Sequence, residues 1–334
     1  MASTAEKDES MLDGGLRSRG MHDLGPQAMR GFRAVERTFL DTVASRGYQE
    51  IRTPAIEPLH LFTATGALSP QLLDRVYSFL DWDGWSGERV VLRPDATVPA
   101  ARWYDQRWQD PSEAARLCYV QPVYCFVPDD GEREVWQCGV ELFGLASPEA
   151  DAELLLLACD FLAALGLRDV RFELAHVGLV RATLAAAGLD PAQQAEAYDR
   201  LLAGDATTAI ANANPEVASA LQLLTTVDGG GAYVENLRGA LAAAVPEAST
   251  GLDELAAAAR ALDAAGIAYR VLPGTARNFE YYTGLTFRVL VGDTECISGG
   301  RYDGLGEMLG GRAVPASGFG AGLLRLMNLV GGAR

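Results

Sequence analysis

The 334 residues, 49% of them hydrophobic, can bury one large core with room for a smaller inserted unit. With 44 acidic against 28 basic side chains the formal charge is −16, so the molecule as a whole repels polyanions and any nucleic-acid role runs against its charge. Five cysteines without a Cys-x-x-Cys pair, and three dispersed histidines (His22, His60 and His176), point to neither a disulfide framework nor a metal centre. No run of ~18 apolar residues and no leader pattern occurs, which predicts a cytoplasmic chain without a membrane span.

In chain order, residues 1–18 mix small and charged residues without periodicity and are expected to form a mobile tail. Pro26 suits a first helical position, Phe32, Val35, Phe39 and Val43 recur at helical spacing, and Gly47 supplies a stop. Tyr48 to Pro58 alternates and carries two prolines, as an edge or interface strand would. Val76 to Gly84 and Arg89 to Leu92 predict a hairpin around Asp83-Gly84. Next comes Arg93-Pro94-Asp95-Ala96-Thr97. A carboxylate and a hydroxyl two residues apart can receive an ammonium group, and the same atoms can cap a helix; the residues alone favour the cap.

Arg116 to Pro128 and Val135 to Gly144 predict two antiparallel strands joined by an acidic loop, with Gln137, Gly139 and Glu141 on one face. Pro148 to Leu165 is a helix, Val170 to Leu174 a strand and Val177 to Ala187 a helix, with His176 at the junction as a capping or core group. Residues 189–265 are alanine-rich and helical, a small insertion within a core of 19–188 and 266–330, and Ile267 to Val271 resumes the sheet.

The stretch from Thr275 to Arg325 carries the strongest signal. Phe287, Val289 and Val291 give one apolar strand face, and the pair Gly299-Gly300 marks a close backbone approach. Gly318, Gly320 and Gly322 repeat at the strand period, leaving one face without side chains ahead of an apolar helix. The ordered strings Arg277-x-x-Glu280-Tyr281-Tyr282-Thr-Gly284, Gly299-Gly300-Arg301-Tyr302-Asp303-Gly304-Leu305 and Gly322-Leu-x-Arg325-Leu resemble the histidine loop and third motif of class II histidyl-tRNA synthetases and their paralogues.

That resemblance spans nearly the whole chain. It implies an α+β fold with an antiparallel sheet flanked by helices, and a homodimer through the helix-strand unit at Pro26 to Pro58. It further implies an L-histidine pocket of Asp95, Thr97, Gln137, Gly139, Glu141, Arg277, Tyr281, Tyr282, Gly299 and Gly300, with no cofactor or metal. The sequence also departs from the synthetase pattern. Where the family's second motif carries Phe-Arg-x-Glu, this chain has Tyr124, Cys125, Phe126 and Val127, and a neutral thiol cannot make the forked contacts that steady a phosphate in adenylation. Cys125 and Val127 are therefore degenerate nucleotide-site positions. Arg325 belongs to the same site and, like Arg277, matches an arginine of the catalytic core. Glu280 stands where aspartate is usual.

After the third-motif helix only Gly331 to Arg334 follow, so no anticodon-binding domain is expected. The combination is similar to the regulatory-subunit branch of the family. Its members bind histidine as a feedback signal and activate a short-form catalytic subunit of ATP phosphoribosyltransferase in a hetero-oligomer, without nucleic acid or membrane. The alternatives are an enzyme forming or transferring aminoacyl-adenylates on a small molecule and, less favoured by the charge, a truncated histidyl-tRNA synthetase.

Overall fold

The structure, a computed structural model, describes residues 17–64, 75–82, 84–108, 113–127, 131–202, 205, 213–226, 228–275 and 282–332. The strands are β1 (Gln49–Glu50), β2 (Ile56–Pro58), β3 (Ser78–Trp82), β4 (Gly87–Leu92), β5 (Ala115–Tyr124), β6 (Glu134–Phe143), β7 (Val170–His176), β8 (Ala268–Val271), β9 (Leu285–Val291), β10 (Thr294–Arg301) and β11 (Ala316–Gly322). The helices are α1 (Pro26–Ser45), α2 (Leu59–Thr63), α3 (Thr97–Arg107), α4 (Glu149–Ala164), α5 (Val177–Ala186), α6 (Pro191–Leu202), α7 (Pro215–Thr226), α8 (Gly231–Leu241), α9 (Ser249–Ala265), α10 (Leu305–Met308) and α11 (Leu323–Gly332).

Among the described residues, eight strands form one sheet in the order β1-β5-β6-β11-β10-β9-β7-β8. The pairs from β5 to β7 are antiparallel, as expected, but both edge pairs, β1 with β5 and β7 with β8, run parallel. The sheet is therefore mixed, because each edge strand returns after a helix rather than a tight turn.

One sheet face is covered by helices. The α1 stripe Phe32, Val35, Phe39 and Val43 is buried as its spacing predicts, and Phe39 meets Phe161 of α4 edge to face with ring centroids 5.2 Å apart. Leu255 and Leu262 of α9 and Leu326 of α11 join the same core against Val140, Phe172 and Phe319 of the sheet. Between residues 191 and 265 the described elements are helical: α8 and α9 share this core, whereas α5, α6 and α7 build a separate cluster around Val180, Tyr198 and Leu221.

The stretch from Tyr48 to Pro58 differs from the single strand expected. It divides into β1, at the edge of the large sheet, and β2, which pairs with β4 in a second sheet ordered β2-β4-β3. Pro54 lies between the two pieces and cannot donate to a ladder, so the chain changes sheets there. The expected hairpin is present as β3 and β4. Among the described residues no helix is long and apolar enough to cross a membrane.

Candidate functional site

Register sets the second face of the central strands, on which α3 and the turn at Tyr302 pack. Glu141, Gly139 and Gln137 of β6 lie opposite Gly318, Gly320 and Gly322 of β11, and opposite Leu117, Tyr119 and Gln121 of β5. The alternation read from the sequence thus puts a carboxylate and an amide on one face, beside a strand with no side chains there. Gly318 is needed for this: a Cβ at that position would stand 2.1 Å from Glu141 Oε2 and 2.7 Å from the Tyr302 hydroxyl. Gly139 likewise clears the Tyr119 ring, whose hydroxyl would lie 2.4 Å from an added Cβ.

Glu141 is 1% exposed. Tyr119 donates its hydroxyl proton to Oε1 at 3.1 Å, Tyr302 donates to Oε2, and Thr97 hydrogen-bonds the same carboxyl. Burial pushes the Glu141 carboxyl up to about 8, and nearby Asp95 acts in the same direction, although the three hydroxyls favour the charged form. Asp95 Oδ1 accepts the Val98 amide at 2.8 Å and so caps α3, while burial raises its carboxyl as well. The capping and ligand-facing readings of Asp95 are therefore compatible. Among the described residues no cation pairs with either carboxylate. The Oε1 of Gln137 is buried and, among the described residues, has no hydrogen-bond partner. Two carboxyls, acceptor-only when ionised, and a neutral amide oxygen make this group of side chains receptive to a cationic hydrogen-bond donor.

Tyr282 closes the cleft from above. Burial, then Asp95 and Glu141, raise its phenol, so it stays neutral. Beside it lies a cavity of about 270 Å³ lined by Ala175, Thr286, Ser298 and the Glu173–Arg288–Glu295 cluster, in which Arg288 pairs with Glu173 and reaches Glu295 at 3.5 Å. Gly300 lies opposite Gly318, and a Cβ on it would sit 2.9 Å from the Tyr282 ring. Gly299 faces the other way: its added Cβ would meet Phe319 at 2.6 Å and Phe287 at 2.9 Å, inside the core, so only its backbone borders the cavity. Strand alternation separates the two glycines. Arg277, Glu280 and Tyr281 lie outside the described residues.

Tyr119 and Tyr302 complete the Glu141 site without having been singled out as site residues from sequence. Tyr302 stood within the Gly-Gly-Arg-Tyr-Asp string, and Tyr119 sits directly opposite Gly139, so pairing the two strands in register finds it. His176 is buried at the β7–α5 junction as expected, its Nδ1 accepting the Leu179 amide at 3.2 Å. Gly318→Ala should force Glu141 and Tyr302 apart, costing about 1–3 kcal/mol of stability and most of the ligand affinity. Thermal unfolding and calorimetry on the variant check this, and wild-type values for both would contradict the geometry.

The family model described as histidyl-tRNA synthetase matches residues 20–326. This chain belongs to the histidyl-tRNA synthetase family. Within that family it is 43% identical over 319 residues to the ATP phosphoribosyltransferase regulatory subunit of Dehalococcoides mccartyi, covering 94% of this chain and 77% of that protein. It is 32% identical over 329 residues to the histidine–tRNA ligase of Alkalilimnicola ehrlichii, covering 95% and 73%. A solved structure described as an ATP phosphoribosyltransferase regulatory subunit/histidyl-tRNA synthetase from Bacillus halodurans superposes with a TM-score of 0.83 at 26% identity, over 95% of this chain and 83% of that one.

At the positions where the synthetase pattern of this family has Arg and Glu, Cys125 and Val127 follow the end of β5. Burial raises the Cys125 thiol, which keeps it neutral, and the Val127 carbonyl accepts two bonds from Arg133, Nε at 3.0 Å and Nη2 at 2.7 Å. Arg325 is exposed on α11, donates Nη1 to the Glu295 carbonyl at 3.0 Å, and borders a shallow cleft with Asp169, Thr294 and Asn328.

Proposed function

We propose that this chain is the regulatory subunit of an ATP phosphoribosyltransferase. On this reading it holds L-histidine in the glycine-floored cleft and conveys its occupancy to a short-form catalytic subunit at the first step of histidine biosynthesis. The observation that carries the proposal is a contrast between two groups of positions. The group that would receive ammonium and imidazole has Glu141, Asp95 and the buried Gln137 oxygen, whereas the nucleotide group has a neutral thiol at Cys125 where the synthetase pattern has arginine. The similarity to proteins named regulatory subunits supports the same reading.

Asp95, Thr97, Gln137, Glu141 and Tyr282 contact histidine, and Arg277 and Tyr281 belong to the same histidine site. Gly139 and Gly300 leave it room. The protein works in the cytoplasm as a homodimer within a hetero-oligomer, and needs neither nucleic acid nor membrane. Histidine acts as a signal if it prefers one arrangement of the assembly, and a preference of ~1–3 kcal/mol gives a response of roughly 5- to 150-fold.

The test is reconstitution. Mixed with a short-form catalytic subunit, the chain should co-purify and raise phosphoribosyl transfer to ATP, and histidine should lower that rate. Alone it should leave histidine-dependent ATP–pyrophosphate exchange at background. Brisk exchange by the isolated chain would instead make it an adenylate-forming enzyme.

A further inference from the structure

The cleft is held from behind by a buried polar assembly. His176 ends β7 and caps α5; because its Nδ1 accepts the Leu179 amide, the ring proton sits on Nε2 and is donated to Glu254 Oε2 of α9 at 2.8 Å. Two glycines let the ring fit. A Cβ on Gly251 of α9 would lie 2.9 Å from His176 Cε1, and one on Gly178 of α5 3.0 Å from the same atom, so α9 rests directly on the imidazole.

Immediately after His176, the Val177 amide donates to the Gly284 carbonyl at 3.0 Å. Gly284 is two residues from Tyr282, the cleft wall. From the other side, the Thr283 amide donates to the Arg301 carbonyl at 2.8 Å, and the Thr283 hydroxyl accepts the Asp303 amide at 3.0 Å. The Tyr282 ring in turn packs both against the cluster of Tyr302 and Leu305 and against the α5 cluster of Val177 and Val180. The wall is thus clamped between the Tyr302 turn and the first turn of α5. Burial would raise the Glu254 carboxyl, but His176 and Arg301 outweigh it and hold it below the usual range, so Glu254 is ionised at neutral pH.

We infer that His176 and Glu254 are positioning residues for the Tyr282 wall, so that ligand affinity depends on how helix α9 is docked. By reciprocity, ligand in the cleft tightens the docking of α9, and the helical layer becomes the part of the molecule that reports occupancy. The inference rests on the cleft being the histidine site.

Calorimetry with histidine and hydrogen exchange at the Val177 and Thr283 amides test it on the full chain. Glu254→Gln keeps an acceptor for Nε2 and should bind within about threefold of wild type, whereas Glu254→Leu should lose about tenfold or more, as for one charged hydrogen bond. Gly251→Ala is the second variant, for the case that Glu254→Leu does not fold. In a helix this change normally stabilises, yet here the added methyl lifts α9 off His176 and should weaken binding.

Both Glu254→Leu and Gly251→Ala should speed exchange at Val177 and Thr283 in the empty protein, and Glu254→Gln should not. Wild-type affinity together with unchanged exchange in folded Gly251→Ala would overturn the inference. Absence of histidine binding by the wild type would overturn the proposed function instead, and the exchange measurements on the empty protein would still decide the positioning role.

Discussion

Glu141→Gln is expected to weaken histidine binding by about 10- to 150-fold, the equivalent of losing one charge-assisted hydrogen bond of roughly 1.5–3 kcal/mol. Glutamine keeps the size of the side chain, its oxygen can accept from one of Tyr119 and Tyr302, and its NH2 can donate to the other hydroxyl, so the main loss is the charge. With its carboxyl near 8, Glu141 is mostly protonated in the empty cleft at pH 7. A cationic group arriving there favours the ionised form, so the wild type should release close to one proton per ligand at pH 7 and the Gln variant none. Calorimetry in buffers of different ionisation enthalpy reads this directly. For the wild type, the Glu141 contribution should raise affinity as pH rises toward 8 and level off above it. Equal proton release by both proteins would remove Glu141 from the site.

The same group sets a stability trend in the empty protein. Its folded value, about 8, lies above its ordinary value of 4.5, so the folded state binds the proton more tightly across that window. The contribution is fully present below the ordinary value and is lost as pH rises toward 8, with a ceiling of roughly 5 kcal/mol for that gap. Glu141→Gln should flatten the corresponding fall in melting temperature.

Why Glu141 and Thr97 were legible in the sequence and Tyr119 and Tyr302 were not follows from the geometry. The period of two in Gln137-x-Gly139-x-Glu141 fixes which side chains share a face, and the glycine repeat at Gly318, Gly320 and Gly322 fixes an empty strand beside them. Both are local patterns. Tyr119 reaches the carboxyl from β5 and Tyr302 from the turn after β10, 22 and 161 positions away in sequence, so their approach is decided by tertiary structure.

Gly299 and Gly300 show what a shared motif leaves open. As a doublet they share a motif, but adjacent strand residues point to opposite faces, and a side chain added at Gly299 would enter the core. The split of Tyr48 to Pro58 between two sheets was invisible for another reason. Pro54 forbids a central ladder, but the identity of the next partner, β4, is decided by tertiary packing. The helical character of α1, by contrast, needs only its own stripe.

Replacing Arg301 by methionine should be the most damaging of these changes, at about 3–5 kcal/mol. The guanidinium is 3% exposed and bonds Asp151 of α4 and Asp303 at 2.9 Å each. Methionine fills much of the same volume without the charge. Asp303 is 43% exposed and can be hydrated, whereas Asp151 is 4% exposed and would be left to Ser147 alone. Burial already raises the Asp151 carboxyl despite Arg301, and removing the cation raises it further.

A carboxyl raised in the folded state contributes stability that is present at low pH and lost as pH climbs through its folded value. The deficit of Arg301→Met should therefore be larger at pH 7.5 than at pH 5. Adding Asp151→Asn should recover much of it, because a neutral amide no longer requires the partner. Denaturant unfolding of the two single variants and the double variant at both pH values measures the coupling. A single variant within about 1 kcal/mol of wild type would mean that water already reaches Asp151. Because Tyr302 follows Arg301 directly and donates to Glu141, loss of this pair should also reach the cleft, lowering histidine affinity at a site the side chain does not touch.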